Sequence, residues 1–208
     1  VAADVAAAAA AVRVAAADHF AWRYATVFTI WLVWEVYWGV SARGVKRAAS
    51  KESLLTRVPV LMGLLLGFVL LLAPWWLGPF FGRRILPDDR LLYAAGVFLL
   101  LCGVCLAFWA RHTLGTNWSG RVTIKEDHEL VTRGPYRFVR HPIYTGVLFA
   151  FTGTTLALGW MGGLFAIALM LAIFAHKIRL EERVMEQHFG AKYADYRKQT
   201  KTLIPFLI

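Results

Sequence analysis

Cysteine is nearly absent, with Cys102 and Cys105 the only two in 208 residues. Both fall inside one apolar run, where they read as small buried residues. Two such side chains make neither a disulfide framework nor a closed zinc site. Charge is also sparse, at 17% of residues, and acids are outnumbered 13 to 23 by lysine and arginine. No glycine-rich dinucleotide fingerprint follows a strand-like run, so a Rossmann domain is not expected. No fixed-period repeat is visible. The stretch from Val1 to Ala17 is alanine-rich, with Asp4, Arg13 and then Asp18, and lacks the basic start and leucine-rich core of a signal peptide. A peripheral helix and an unstructured lead-in both remain open for it.

What the chain has in excess is apolar surface, 59% of residues against less than half in an ordinary soluble domain. That excess is gathered into five runs: about Phe20 to Val40, Val58 to Leu77, Leu91 to Ala110, Pro142 to Leu158 and Trp160 to Ala175. Each approaches the ~20 residues that cross a hydrocarbon core. The last two are shorter and parted only by Gly159, which predicts a tight hairpin. The expected fold is therefore all-α and polytopic, with about five transmembrane helices. Residues 1–110 form an N-terminal region with three spans, and residues 111–208 hold a polar loop, the hairpin and a polar tail.

The formal net charge is +10. In a soluble protein that surplus would suggest nucleic acid. Here the basic residues sit between the apolar runs, where they set topology and meet anionic headgroups, so nucleic acid is not an expected partner. Arg43, Lys46, Arg47, Lys51 and Arg57 follow the first run. Arg111, Arg121, Lys125, Arg133, Arg137 and Arg140 follow the third, and the tail after the fifth is basic again. The connection from Ala73 to Arg90 is mixed, and the hairpin tip has no charge. The positive-inside rule then places the N-terminus outside and the C-terminus in the cytoplasm, with Arg83 and Arg84 running against the pattern. Trp31, Trp34, Trp38, Trp75, Trp76 and Phe80 read as packing and interfacial anchors. Arg23 and Glu35 stand out as charges within the first run. Glu35 has snorkelling or a pair with Arg43 as its bland reading.

The chemistry gathers in the C-terminal half. The stretch from Arg111 to Arg140 is long for a plain connector. It contains His128-Glu129-Leu130-Val131-Thr132-Arg133-Gly134-Pro135-Tyr136, followed by Arg140-His141-Pro142-Ile143-Tyr144-Thr145-Gly146. Pro142 suits the first turn of a helix, whose open N–H groups favour an anion. In the tail, Lys177 and Glu181 share a helical face, as do Glu182 and Glu186. Phe189-Gly190 ends one helix, and Tyr193 with Tyr196 begins a short second one.

From Asn117 to Pro205 these residues, in this order, resemble the isoprenylcysteine carboxyl methyltransferase family. That family lies within a wider group of integral-membrane methyltransferases that includes phospholipid methyltransferases. The likeness rests on His128-x-Leu130-Val131-Thr132-x-Gly134-x-Tyr136, on Arg140-His141-Pro142-x-Tyr144-x-Gly146, and on Glu181-Glu182 with Phe189-Gly190-x-x-Tyr193-x-x-Tyr196. It implies S-adenosyl-L-methionine as cofactor and a cytoplasmic pocket built by the C-terminal half. Carried over by position, His128, Glu129, Leu130, Val131, Tyr136, His141, Pro142, Ile143, Tyr144 and Glu181 bind the cofactor. Where the family places an arginine one turn before that Glu, this chain has Lys177, with Arg179 close by. Lys177, Arg179 or Arg140 is expected to orient an acidic, lipophilic or prenylcysteine-like acceptor. No metal is implied. Tyr136 and Tyr144 are expected to give the cofactor aromatic contact, His141 to hold its carboxylate, and Glu181 its amino group or ribose. The acceptor stays open among prenylcysteines, other hydrophobic acids and lipid amines. A related sterol-type reductase using NADPH would carry Asn before Tyr144 and an acid after Gly146, where Ile143 and Val147 stand. A membrane scaffold or transporter would need polar residues along the spans, which are nearly bare of them. Gly63 and Gly67 permit close helix packing, and oligomeric state is not legible.

Overall fold

The computed structural model describes the backbone of residues 2–44, 54–118 and 129–204, and side chains over 21–43, 58–118 and 129–204. Within these the fold is helical: α1 (Ala2–Ser41), α2 (Leu54–Leu72), α3 (Arg90–Leu114), α4 (Pro142–Leu158), α5 (Met161–Phe189) and α6 (Ala191–Gln199). Two isolated bridges and no strand occur among the described residues. Helices α3 and α5 are long and apolar enough to cross a membrane, and the stretches Val58–Leu72 and Pro142–Leu158 are shorter apolar helices.

Local chemistry explains most boundaries. The alanine-rich N-terminal stretch is helical and runs without a break into the first apolar segment, as the strongest helix former predicts. Asp89 caps α3 by accepting a bond from Leu92 N at 2.8 Å. Pro142 opens α4, and Gly159, at φ 72°, closes it in the left-handed region. The second apolar run ends as a helix at Leu72, because Pro74 starts a separate 3-10 turn at Pro74–Leu77. The fifth run continues well past Ala175. Its polar continuation, rich in Glu, Lys and Arg, forms helix as readily as the apolar part does. That extension carries Lys177, Glu181 and Glu182 inward from the hairpin.

Among the described residues the most extensive helix pairing joins α3 to α4. A Cβ placed on Gly103 would lie 2.4 Å from Gly146 O and 2.5 Å from Ala150 N. One on Gly153 would lie 2.3 Å from Leu100 N and 2.5 Å from Gly96 O. Small residues at Gly96, Gly103 and Ala107 therefore face Gly146, Ala150, Gly153 and Ala157 with the two backbones in direct contact, a device typical of helices that associate without a hydrophobic drive. Gly63 and Gly67 of α2 serve α5 of the same chain. Their Cβ positions fall 2.7 Å from Ile173 Cδ1 and 2.5 Å from Met170 Cε.

Helix α1 is tied to this frame by polar bonds within its apolar length. Tyr24 Oη donates to Leu72 O at 2.6 Å, and Trp31 Nε1 donates to Thr154 Oγ1 at 3.0 Å. Arg23 is 2% exposed, pairs with Asp88 and lies 4.8 Å over the Tyr93 ring, so the first of the two charges in the first apolar run is a neutralised tether.

The seam makes a sharp stability contrast. Gly103→Val forces backbones apart and should cost ~3 kcal/mol or more, lowering the melting temperature or abolishing a monodisperse peak in detergent. Gly39→Ala should leave stability equal or higher, since a Cβ there meets nothing within 4 Å.

Candidate active site

The turn Gly134–Arg137 packs back against α3. Gly134, at φ 60°, allows the turn into a 3-10 segment, Gly134–Arg137, and its Cβ position lies 2.9 Å from Thr113 Oγ1. This buries Tyr136, whose carbonyl accepts a bond from Tyr196 Oη at 2.7 Å. Burial, aided by nearby Tyr196 and Glu181, holds the Tyr136 hydroxyl well above its usual range, so it stays protonated. Burial likewise raises Tyr196 to about 12.

Arg140 binds the C-terminal segment to α4. Its Nε donates to Glu182 Oε1 at 2.8 Å, Nη1 to Thr200 O at 2.5 Å, and Nη2 to Thr202 Oγ1 at 2.8 Å. The backbone follows suit, with Arg140 N donating to Lys201 O at 2.8 Å and His141 N to Thr202 O at 3.1 Å. With its fork engaged in this way, Arg140 acts as a strap rather than as the substrate-orienting cation expected from sequence.

His141 stands between two carboxylates. Nδ1 lies 3.5 Å from Glu181 Oε2, and Nε2 lies 3.5 Å from Glu182 Oε1. Burial alone would push its pKa down, but the hydrogen bonds and charges of both glutamates outweigh that, and the net shift is upward. Its ring stacks parallel on Tyr144 at 5.5 Å. Tyr144 Oη donates to Glu181 Oε1 at 2.6 Å, and the far side of the Tyr144 ring rests on Phe174 at 4.4 Å. Lys177 Nζ lies 3.7 Å from Glu181 Oε1 and 5.9 Å from the Tyr144 ring centre. The ring nitrogens of His141 thus face glutamates of this chain, not open space, which differs from the carboxylate-holding role expected for it.

These groups form one end of a cavity of about 410 Å³, within the range of small-molecule sites. Of the expected residues, Glu129, Leu130, Val131, Tyr136, Arg140, His141, Ile143, Tyr144, Lys177 and Glu181 line it. Pro142 is buried and does not reach it. Arg179 is exposed and also outside it, because two residues along a helix turn the side chain ~200° away from Lys177. His128 lies outside the described residues, as do the loop basics Lys46, Lys51, Arg121 and Lys125, and Pro205.

The other end is apolar and was not read as functional from sequence. Trp31, Trp34 and Trp38 of α1, Phe68 of α2, Phe151 of α4 and Phe174 of α5 wall it, with Glu35 beside them. Trp31 and Trp34 are buried, at 3% and 7% exposure, so packing was right as far as it went. Their recurrence at i, i+3 and i+7 with Glu35 on the same stripe was the available signal.

An all-helical membrane-type fold with an amphipathic cavity where α1, α4 and α5 meet defines the class. Residues 95–187 match the model of the isoprenylcysteine carboxyl methyltransferase family. Curated relatives include protein-S-isoprenylcysteine O-methyltransferase B of Arabidopsis thaliana, 32% identical over 54% of this chain and 58% of its own length. The Dictyostelium discoideum protein-S-isoprenylcysteine O-methyltransferase is 29% identical over 83% of this chain and 72% of its own. A solved eukaryotic intramembrane Ras methyltransferase of the same family aligns with TM-score 0.51 and 27% identity, covering 76% of this chain and 55% of that one. The chain spans about half the length of several relatives, for example 42% of the Rattus norvegicus protein and 51% of that of Saccharomyces cerevisiae.

Two outcomes follow from the charge network. A histidine whose pKa rises on folding contributes stability that is complete below its unfolded value of ~6.5 and is lost as pH climbs through the raised folded value. Thermal stability should therefore fall as pH rises above ~6.5, and His141→Gln should flatten that slope in melts run across pH 6 to 9. Arg140→Ala should speed amide exchange at Arg140 and His141 at least ~tenfold, since it breaks a largely buried ion pair.

Proposed function

We propose that this chain is an integral-membrane S-adenosyl-L-methionine-dependent methyltransferase that esterifies a carboxylate on a lipid-like, prenylcysteine-type acceptor. The observation that carries this reading is the shared cavity. A polar, charge-neutralised end meets an aromatic and aliphatic end, so a charged donor and a lipophilic acceptor have adjoining places.

The residues suit the cofactor. Its positive charges match Glu181 and Glu129, its adenosine matches the apolar wall of Leu130, Val131 and Ile143, and the cavity volume is sufficient. When bound, it supplies an electrophilic methyl group on a sulfonium. The chain's own task is then alignment and exclusion of water, because a carboxylate nucleophile is already ionised. Glu181 is held by Tyr144, His141 and Lys177, which fixes the direction of its carboxylate oxygens. Tyr144, braced on Phe174, offers an aromatic wall to a cation. Lys177 supplies positive charge for the acceptor's carboxylate as a point charge, without the bidentate fork of an arginine.

In this reading five helices span the bilayer and the cavity opens toward the cytoplasm. The basic loops on that side support this orientation. The acceptor's tail lies between α1, α2, α4 and α5, among Trp31, Trp34, Phe68 and Phe151. NADPH-dependent reduction is disfavoured by Ile143 and Val147, which give no polar contact where a reductase needs one.

The test is transfer of a labelled methyl group from the cofactor to an S-prenylcysteine analogue and to extracted membrane lipids. A methyl ester releases base-labile methanol, whereas N-methylation gives base-stable label. The ester outcome is expected. Stable label would establish the amine reading instead. Lys177→Gln should raise the acceptor KM ~tenfold while leaving S-adenosylhomocysteine affinity unchanged.

A further inference from the structure

Phe174 carries no group that ionises or hydrogen-bonds, yet it sits where the two ends of the cavity meet. On α5 the apolar wall at Met170 gives way there to Lys177 and Glu181, and all four residues line the cavity. Glu181 follows Phe174 by seven residues, about two turns along the same helix face. Both reach a single side chain of α4. Phe174 lies against the Tyr144 ring at 4.4 Å and 12°, a near-parallel stack, and Glu181 Oε1 accepts the Tyr144 hydroxyl at 2.6 Å. His141 stacks on the same ring at 5.5 Å and 3°. Phe174 is buried, and so is Met170 one turn before it, so the bracing ring is itself held in a close-packed wall.

The aim of the Glu181 carboxylate depends on that grip. Its Oε1 meets the Tyr144 hydroxyl at 2.6 Å and Lys177 Nζ at 3.7 Å, while Oε2 faces His141 Nδ1 at 3.5 Å. The bond from Tyr144 is the shortest of the three. A tilt of the ring displaces the hydroxyl most, because it is the atom farthest from the backbone. Oε1 is then left to Lys177, its neighbour one turn back on α5, and is drawn along its own helix. We infer that Phe174 is a positioning residue for the donor end of the cavity. By keeping the Tyr144 ring flat it holds the hydroxyl on Glu181, and so directs the carboxylate toward the ammonium group of an adenosyl amino-acid cofactor. A leucine at this position fills most of the space without supplying the flat face.

The identity of the cation rests on the methyl-transfer reading, whereas the clamp is a property of these side chains alone. The test is a double-mutant cycle, read by calorimetric titration of the full chain in neutral detergent with S-adenosylhomocysteine. Phe174→Leu and Tyr144→Phe should each weaken binding ~tenfold, the worth of one hydrogen bond to a charged group. Combined they should weaken it ~tenfold again rather than ~hundredfold, since the second change removes a hydroxyl that the first has already displaced. Phe174→Tyr, which keeps a flat ring, should bind more tightly than Phe174→Leu. Wild-type affinity in Phe174→Leu, the mark of a residue that only walls the acceptor's place, would overturn the inference, as would additive losses in the double variant. Should Phe174→Leu fail to fold, Phe174→Met takes its place in the same cycle. If wild type binds no S-adenosylhomocysteine, the methyl-transfer reading fails, and carbon-13 resonance of ring-labelled tyrosine decides the clamp. Phe174→Leu should then speed the flipping of the Tyr144 ring, and an unchanged rate would overturn the clamp as well.

Discussion

Two backbones in contact set the position of everything that matters in the cavity. Gly103 and Gly146, with Gly96 and Gly153 two turns away, bring α3 and α4 so close that no side chain fits between them. That contact fixes where α4 begins, with His141 at its N-cap and Tyr144 in its first turn. It also fixes where α3 ends, and the turn Gly134–Arg137 packs against α3 with Tyr136 buried. Lipid offers no hydrophobic reward for joining two helices, so close approach of glycines supplies dispersion contact instead. A site assembled on this seam is held by backbone position rather than by side-chain choice.

The second constraint is electrostatic. Buried charge is tolerated only where it is paired, and the polar end of the cavity obeys this rule throughout. Glu182 is shared by Arg140 and His141, while Glu181 is shared by His141, Tyr144 and Lys177. The two glutamates are adjacent on α5, so one imidazole bridges both. Arg140 extends the network to Thr200 and Thr202 and so draws the end of the chain across α4. Clusters that lie far apart in sequence become one object, because Arg140 and His141 meet charges on Glu181 and Glu182 while Tyr136 joins through the hydroxyl of Tyr196.

Much of this architecture was legible in the residues. The apolar runs give the helices, Pro142 and Gly159 give the ends of α4, and Phe189-Gly190 gives the break before α6. The polar clusters name most of the cavity wall, including Tyr136, His141, Tyr144, Lys177 and Glu181. Partnership was harder to read. Arg140 looked like a substrate contact because a sequence does not show that Thr200 and Thr202 return to meet it, some sixty residues later. Arg179 looked equivalent to Lys177, yet two steps along a helix point away. The tryptophans of α1 looked like anchors because periodicity reports a buried face without saying whether that face meets protein or a cavity. The extra length of α5 was masked by its charges, which end an apolar run without ending a helix.

The account stands on a positively charged adenosyl cofactor being held at the end of the cavity where Tyr144 and Glu181 meet. Calorimetric titration of the purified chain with S-adenosylhomocysteine, with NADPH as comparison and Glu181→Gln as control, tests it most directly. The account predicts saturable binding of the first, none of the second, and at least ~tenfold weaker binding by the variant. Binding of NADPH in place of S-adenosylhomocysteine, or affinity indifferent to Glu181, would contradict it.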